Sequence, residues 1–238
     1  MMASCNNSDA SSDYEVVATF PHDPAAYTQG LVTANGTVYE SLGRYGTSEV
    51  RRVQYQTGAV EERRPLDRSR FGEGLAYHDG RLIQLTWKEG VAYVYHLQGL
   101  VPVDSFKYAG EGWGLASDGT NLFMSDGSDS IRVLNPQTFA VERTFKVSHD
   151  GLPLNQLNEL EFFDGMLLAN VYQSDRIAII HPQNGTVTRL LDFARLYRDR
   201  TANADVMNGI TVAPDGVHLL VTGKYWPNLF QVRIKPPS

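Results

Sequence analysis

One short pattern recurs five times along the chain and sets its architecture. It consists of a Gly-Leu or Gly-Ile pair, a few residues, an Asp or Asn followed by a turn glycine, and then an apolar run. Copies run from Gln29-Gly30-Leu31 to Asn35-Gly36, from Glu73-Gly74-Leu75 to Asp79-Gly80, from Trp113-Gly114-Leu115 to Asp118-Gly119 and from Asn208-Gly209-Ile210 to Asp215-Gly216. A degenerate copy, Glu159-Leu160 to Asp164-Gly165, carries glutamate where the others carry glycine. Between Leu31, Leu75, Leu115, Leu160 and Ile210 the steps are 44, 40, 45 and 50 residues, the period of a four-stranded propeller blade.

Helical solenoids share that period, so the pattern inside each unit decides. Each turn glycine leads into a short apolar segment such as Arg81-Leu82-Ile83-Gln84-Leu85, then a β-rich segment such as Arg176-Ile177-Ala178-Ile179-Ile180, then another turn. Strand-like runs 8 to 12 residues apart, punctuated by Gly, Asn and Pro, predict an all-β fold. Fourth strands are expected at Val60 to Leu66, Val101 to Tyr108, Val141 to Val147 and Val187 to Phe193, but the fifth unit ends at Ile234-Lys235-Pro236. Tyr14 to Pro21 is left to supply its outer strand. The expectation is therefore an all-β, five-bladed β-propeller whose last blade is completed by the N-terminal strand, leaving no open ring edge. Residues 14–238 form the single domain, after a disordered tail at residues 1–13, rich in Ser, Asn, Asp and Ala. A short helical turn is expected near Leu191 to Asp199.

A formal charge of −6 over 238 residues, with no basic cluster, argues against nucleic-acid binding, and no apolar run approaches a bilayer-crossing length. Cys5 is the one cysteine, so an intramolecular disulfide is impossible. Met2-Ala3-Ser4-Cys5 is either the stump of a bacterial lipoprotein signal or a tail that happens to hold one cysteine, and export is expected: periplasmic, secreted or lipid-anchored through Cys5. A monomer is expected.

Propeller chemistry gathers where the innermost strands present polar groups to the central channel. The residues beside each Gly-Leu pair differ from unit to unit: Thr28 and Gln29, Glu73, Glu111 and Trp113, Asn158 with Glu159 and Glu161, Met207 and Asn208. Glu73 sits between two glycines, where a charged side chain has no local packing duty; it is either a surface turn or a carboxylate aimed into the channel. Lys224 stands among aromatic residues at a strand end, Val221-Thr222-Gly223-Lys224-Tyr225-Trp226. It is either a solvated lysine or a cation held against developing negative charge. The six histidines show no zinc-type spacing; a hard cation on carboxylates and carbonyls, such as a structural calcium, stays open.

Taken together, Tyr27-Thr28-Gln29-Gly30-Leu31, Phe71-Gly72-Glu73-Gly74, Leu85-Thr86-Trp87-Lys88, Gly110-Glu111-Gly112-Trp113-Gly114-Leu115, Leu157-Asn158-Glu159-Leu160-Glu161, Asn170-Val171-Tyr172 and Thr222-Gly223-Lys224-Tyr225-Trp226-Pro227 resemble the glutamine cyclotransferases of plants and bacteria. The resemblance implies a five-bladed propeller that converts N-terminal glutamine of peptides and proteins to pyroglutamate, releasing ammonia, with no cofactor or catalytic metal. It implies Glu73 as proton shuttle and Lys224 as the cation polarising the side-chain carbonyl. Gln29 and Asn158 are expected to orient substrate as hydrogen-bond donors, Trp87 and Trp113 to wall the pocket, and Glu161 and Tyr172 to complete the substrate site. Tyr172 departs from the tryptophan expected there. Two rival readings use the same residues: a non-catalytic propeller that binds a peptide or protein through Trp113, Tyr225 and Trp226, and a metal-dependent lactonase using Glu73, Glu159 and Glu161.

Overall fold

The computed structural model describes residues 13–236. Strand β1 (Tyr14–Pro21) leads into the first blade, β2 (Thr28–Ala34), β3 (Thr37–Leu42), β4 (Glu49–Gln54) and β5 (Ala59–Pro65). The second holds β6 (Gly72–His78), β7 (Arg81–Thr86), β8 (Val91–His96) and β9 (Val101–Lys107). The third holds β10 (Leu115–Ser117), β11 (Leu122–Ser125), β12 (Ser130–Leu134) and β13 (Val141–Lys146), followed by a small hairpin, β14 (Ser148–His149) and β15 (Leu152–Pro153). The fourth holds β16 (Leu157–Phe163), β17 (Met166–Val171), β18 (Arg176–Ile180) and β19 (Val187–Asp192); the fifth begins with β20 (Met207–Val212), β21 (Leu219–Gly223) and β22 (Asn228–Ile234). β1 lies antiparallel on β22, from Tyr14 opposite Ile234 to Pro21 opposite Asn228, so the fifth sheet runs β20-β21-β22-β1. The ring closes as its strand count predicts.

Local chemistry builds the inner hairpins. Asn35-Gly36, Asp79-Gly80 and Asp164-Gly165 all have positive φ at both residues, the requirement of a two-residue type I′ turn joining tightly twisted strands. The apolar faces then meet between blades. Five buried clusters occupy the five seams; Leu75, Leu82 and Tyr95 pack on Val32, Tyr39 and Val50 in one, and Trp226 and Phe230 on Ile177 and Leu191 in another.

Around the axle the inner strands approach so closely that side chains do not fit. A Cβ on Gly74 would lie 2.6 Å from the Leu115 nitrogen, and one on Gly114 would lie 2.0 Å from the Asn158 carbonyl oxygen. The recurring glycine is thus a contact requirement. Glu159, which takes the glycine's place in the fourth copy, sends its carboxylate across the axle to accept the Leu31 amide at 3.2 Å and the Ile210 amide at 2.9 Å.

The ring is clasped beside β1. His22 faces the Trp226 carbonyl at 2.7 Å through Nδ1 and the Glu40 carboxylate at 3.0 Å through Nε2; both partners only accept, so the ring carries two protons. Arg51 donates to Glu40 at 2.8 Å and to Asp23 at 2.8 Å. Burial alone would raise the Glu40 carboxyl, but Arg51 and then His22 hold it well below the usual range.

Asp13 belongs to the folded ring and not to the tail: its backbone oxygen accepts from Lys235 and its carboxylate from the Asp192 amide and Arg189, bridging blades four and five. Residues 1–12, including Cys5, lie outside the described residues. The segment after β19 makes a single turn, Leu196 nitrogen to Phe193 oxygen at 2.8 Å, in place of the expected helical turn. Among the described residues no helix is long and apolar enough to cross a membrane.

Candidate active site

Four inner strands break register where they reach one end of the axle: β2 between Thr28 and Gly30, β6 between Gly72 and Leu75, β16 between Leu157 and Leu160, β20 between Met207 and Ile210. A bulge re-aims the extra residue. The residues inside these breaks are Gln29, Glu73 with Gly74, Asn158 with Glu159, and Asn208 with Gly209. Loops entering the inner strands add Tyr27, Phe71 and Trp113, and loops leaving the second strands add Arg44, Trp87, Tyr172 and Lys224. With Gln29, Glu73 and Asn158 these line a cavity of about 290 Å³.

Glu73 is buried, and its Oε1 accepts the Gln29 carboxamide at 2.7 Å. Gln29 is in turn fixed by Asn208, whose Nδ2 donates to Gln29 Oε1 at 3.3 Å. Burial pushes the Glu73 carboxyl well above the usual range; the Lys224 ammonium draws it back and Glu111 adds to the rise. Lys224 is likewise buried, its Nζ 4.6 Å from the centre of the Tyr27 ring and 5.2 Å from that of Tyr172. Burial lowers its ammonium to about 8, with Glu73 and then Asp205 opposing. Acid and ammonium, from the second and fifth blades, face one cavity and each shifts the other's protonation.

The walls are held from behind. Glu111 accepts both indoles, Trp87 at 2.7 Å and Trp113 at 3.0 Å, so one carboxylate sets two walls. Trp113 meets the edge of Tyr172 at 5.6 Å. Asn158 also lines the cavity, and its buried Oδ1 has no partner among the described residues.

Of the residues named from sequence, Gln29, Glu73, Trp87, Trp113, Asn158, Tyr172 and Lys224 share this cavity. Glu161 does not. It stands two residues beyond Glu159, about 7 Å along the strand. It lines a separate depression with Thr33, Tyr77, Ser117 and Thr211 at the other end of the axle. Its carboxylate accepts the Phe162 amide at 2.8 Å and the Val212 amide at 3.2 Å, while burial raises it to about 7. Trp226 is fully buried and donates to the Asp205 carbonyl at 2.9 Å, so it is core and cannot serve as a contact for a bound partner. Glu159 is spent on backbone amides, far from forming a cation cage with Glu73, and no cluster of three metal-ligating side chains occurs among the described residues. The reading from sequence missed Tyr27, Arg44 and Phe71 as lining residues. Tyr27 and Phe71 do stand beside Gln29 and Glu73 in the quoted motifs, which was the available signal.

A closed five-bladed ring with a buried carboxyl and ammonium at one end of its axle defines a propeller with a preorganised, aromatic-walled pocket open to solvent at its mouth. Residues 1–234 match the glutamine cyclotransferase family, and the chain belongs to it. It is 42% identical over 233 residues to an Arabidopsis thaliana glutaminyl-peptide cyclotransferase, covering 95% of this chain and 73% of the relative. A crystal structure of Myxococcus xanthus glutaminyl cyclase superposes with a TM-score of 0.89 at 33% identity, covering 94% of this chain and 97% of that one. A Kuenenia stuttgartiensis hydrazine synthase chain, TM-score 0.50 and 14% identity over 92% of this chain and 59% of that one, shares the fold alone.

Proposed function

We propose that this protein is a glutaminyl-peptide cyclotransferase, closing the N-terminal glutamine of peptides or proteins to pyroglutamate with release of ammonia. The observation that carries the reading is the placement of the Glu73 carboxyl and the Lys224 ammonium on one cavity walled by Trp87, Trp113 and Tyr172. The reaction forms a bond from the substrate α-nitrogen to its side-chain carbonyl carbon and breaks that carbon's bond to the amide nitrogen.

The attacking amine must lose a proton and the departing nitrogen must gain one. A carboxyl raised by burial serves both steps: as carboxylate, Glu73 takes the proton from the α-nitrogen, and as acid it returns it to the leaving group. Gln29 fixes the angle of that carboxyl. Lys224 lies where negative charge develops on the carbonyl oxygen, and in a buried site that charge is worth more than in water. Asn158, on the wall of the same cavity, orients the substrate through its carboxamide. The indoles fixed by Glu111 hold the glutamine folded on itself, so ring closure is intramolecular and gains from orientation alone. No step calls for a metal or cofactor.

The test is ammonia release from a Gln-Ala-amide peptide with excess chelator present. Release is expected to persist, and Glu73→Gln is expected to lower kcat by about 10²- to 10⁴-fold with little change in KM or melting temperature. Ammonia release that needs a metal, or a Glu73→Gln protein that turns over normally, would refute the reading.

A further inference from the structure

The buried end of the cavity is occupied by Glu73 and Lys224; its mouth holds a cation with no ion-pair partner among the described residues. Arg44 follows β3 with a φ of 108°, a conformation that a residue with a side chain rarely adopts. Its carbonyl oxygen accepts from the Thr47 amide at 3.1 Å and from Ser48 Oγ at 2.8 Å, which keeps the loop in that shape. The guanidinium lies over Tyr27, 4.0 Å from its centre, and Nε donates to the Tyr225 hydroxyl at 3.1 Å. Nη1 and Nη2, the two ends of the fork that suit a carboxylate, have no partner among the described residues, although Arg44 lines the cavity.

The neighbouring charges are occupied differently. Lys88, another cation near the mouth, is stacked on Trp87 at 3.8 Å and lies 3.8 Å from Glu111. Glu89 accepts from Tyr45 and from the Phe71 amide. Asp205 is near enough for its charge to be felt by Arg44 but makes no ion pair with it. Arg44 is therefore the guanidinium that lines the cavity, stacked on Tyr27 and without an ion-pair partner among the described residues.

We propose that Arg44 is a specificity residue that reads a carboxylate on the residue following the N-terminal glutamine. This rests on the cyclotransferase reading: with glutamine seated between Glu73 and Lys224, the second residue is the part of the peptide left at the mouth. The carboxylate has two sources, an Asp or Glu side chain, or the terminal carboxylate of a dipeptide.

The experiment compares kcat/KM for two isosteric pairs, Gln-Glu-Ala-amide against Gln-Gln-Ala-amide, and Gln-Ala against Gln-Ala-amide. The wild-type protein is expected to favour the carboxylate about three- to fivefold, chiefly through KM, as suits a part-exposed charge pair. A preference in the first pair alone identifies the side chain as the source, and one in the second alone the chain terminus. The preference should fade between about 0.05 and 0.5 M salt, because exposed charges are screened. Arg44→Gln should bring the ratio to about one whatever loss the paired peptides share, and Arg44→Lys should leave an intermediate ratio. Equal rates within both pairs for wild type, a salt-independent ratio, or a ratio that survives Arg44→Gln would overturn the inference. No ammonia from any of the four peptides would instead sink the cyclotransferase reading, and this inference with it.

Discussion

Replacing Lys224 by methionine should make the protein more stable while abolishing its chemistry. Lys224 is buried, and its ammonium is brought down from 10.5 to about 8 by desolvation, a difference of about 3 kcal/mol between the charged and neutral forms. That difference already includes the attraction of Glu73 and of the rings of Tyr27 and Tyr172. Methionine fills the same space without the charge, and Glu73, already raised by burial, meets the loss by keeping its proton. At pH 7 the variant should gain about 3 kcal/mol, or roughly 6–12 °C in Tm for a domain of this size. The sign with pH follows from linkage. Between about 8 and 10.5 the unfolded chain binds the proton more tightly than the folded one, so wild-type stability rises with pH there. The advantage of Lys224→Met is therefore full below about 8 and should shrink to about 1 kcal/mol at pH 10. Urea unfolding of both proteins at pH 7 and pH 10 measures both quantities. A variant no more stable than wild type at pH 7, or an advantage that persists undiminished at pH 10, would refute the claim that the site holds its ammonium at the fold's expense.

Two further perturbations test the ring itself. His22→Gln should cost about 3 kcal/mol, since the ring bonds two buried acceptors at once. Burial would lower His22 but Glu40 raises it above 6.5; its contribution is thus complete below about 6.5 and lost as pH rises through its folded value. Urea unfolding should show the wild-type advantage shrinking from pH 6 to pH 9, and growth over that range would contradict the clasp. Gly114→Ala should cost about 3 kcal/mol or more because its Cβ meets the Asn158 carbonyl, whereas Gly119→Ala, with open space but a φ of 86°, should cost about 1 kcal/mol. Thermal melts that rank the two alanines the other way would show that the axle is not the tight contact described.

The ring was legible from sequence because its determinants are local and repeated. Positive-φ turns at Asn35-Gly36, Asp79-Gly80 and Asp164-Gly165 and close contacts at Gly74 and Gly114 each demand one residue type at one place. Closure by β1 followed from counting strands. Glu73 was legible as a charged residue with no packing role, but Lys224 needed the family resemblance, since the rings that cover it are Tyr27 of the first blade and Tyr172 of the fourth. Arg44 had no repeat to mark it, because the loop after β3 has its own length and turn. Glu161 was misplaced because strand rise carries it to the far end of the axle. Trp226 was misplaced because the chain reverses tightly after Lys224: a Cβ on Gly223 would lie 2.3 Å from its indole, so the ring is folded back into the seam.

The site lies where the inner strands depart from regular pairing, and this has a physical cause. A strand in register alternates its side chains between the two seams that flank the blade and sends none along the axle. Extra residues in β2, β6, β16 and β20 break that alternation at the positions of Gln29, Glu73, Asn158 and Asn208. The cost is a set of buried polar groups off the ladder, and they are satisfied in a chain: Asn208 on Gln29, Gln29 on Glu73, with Glu159 taking the amides of Leu31 and Ile210. The Oδ1 atoms of Asn158 and Asn208 are left unpaired in that set among the described residues, and Asn158 lines the cavity. A buried acceptor without a donor costs stability, so the irregular strands that open the pocket do so at the fold's expense.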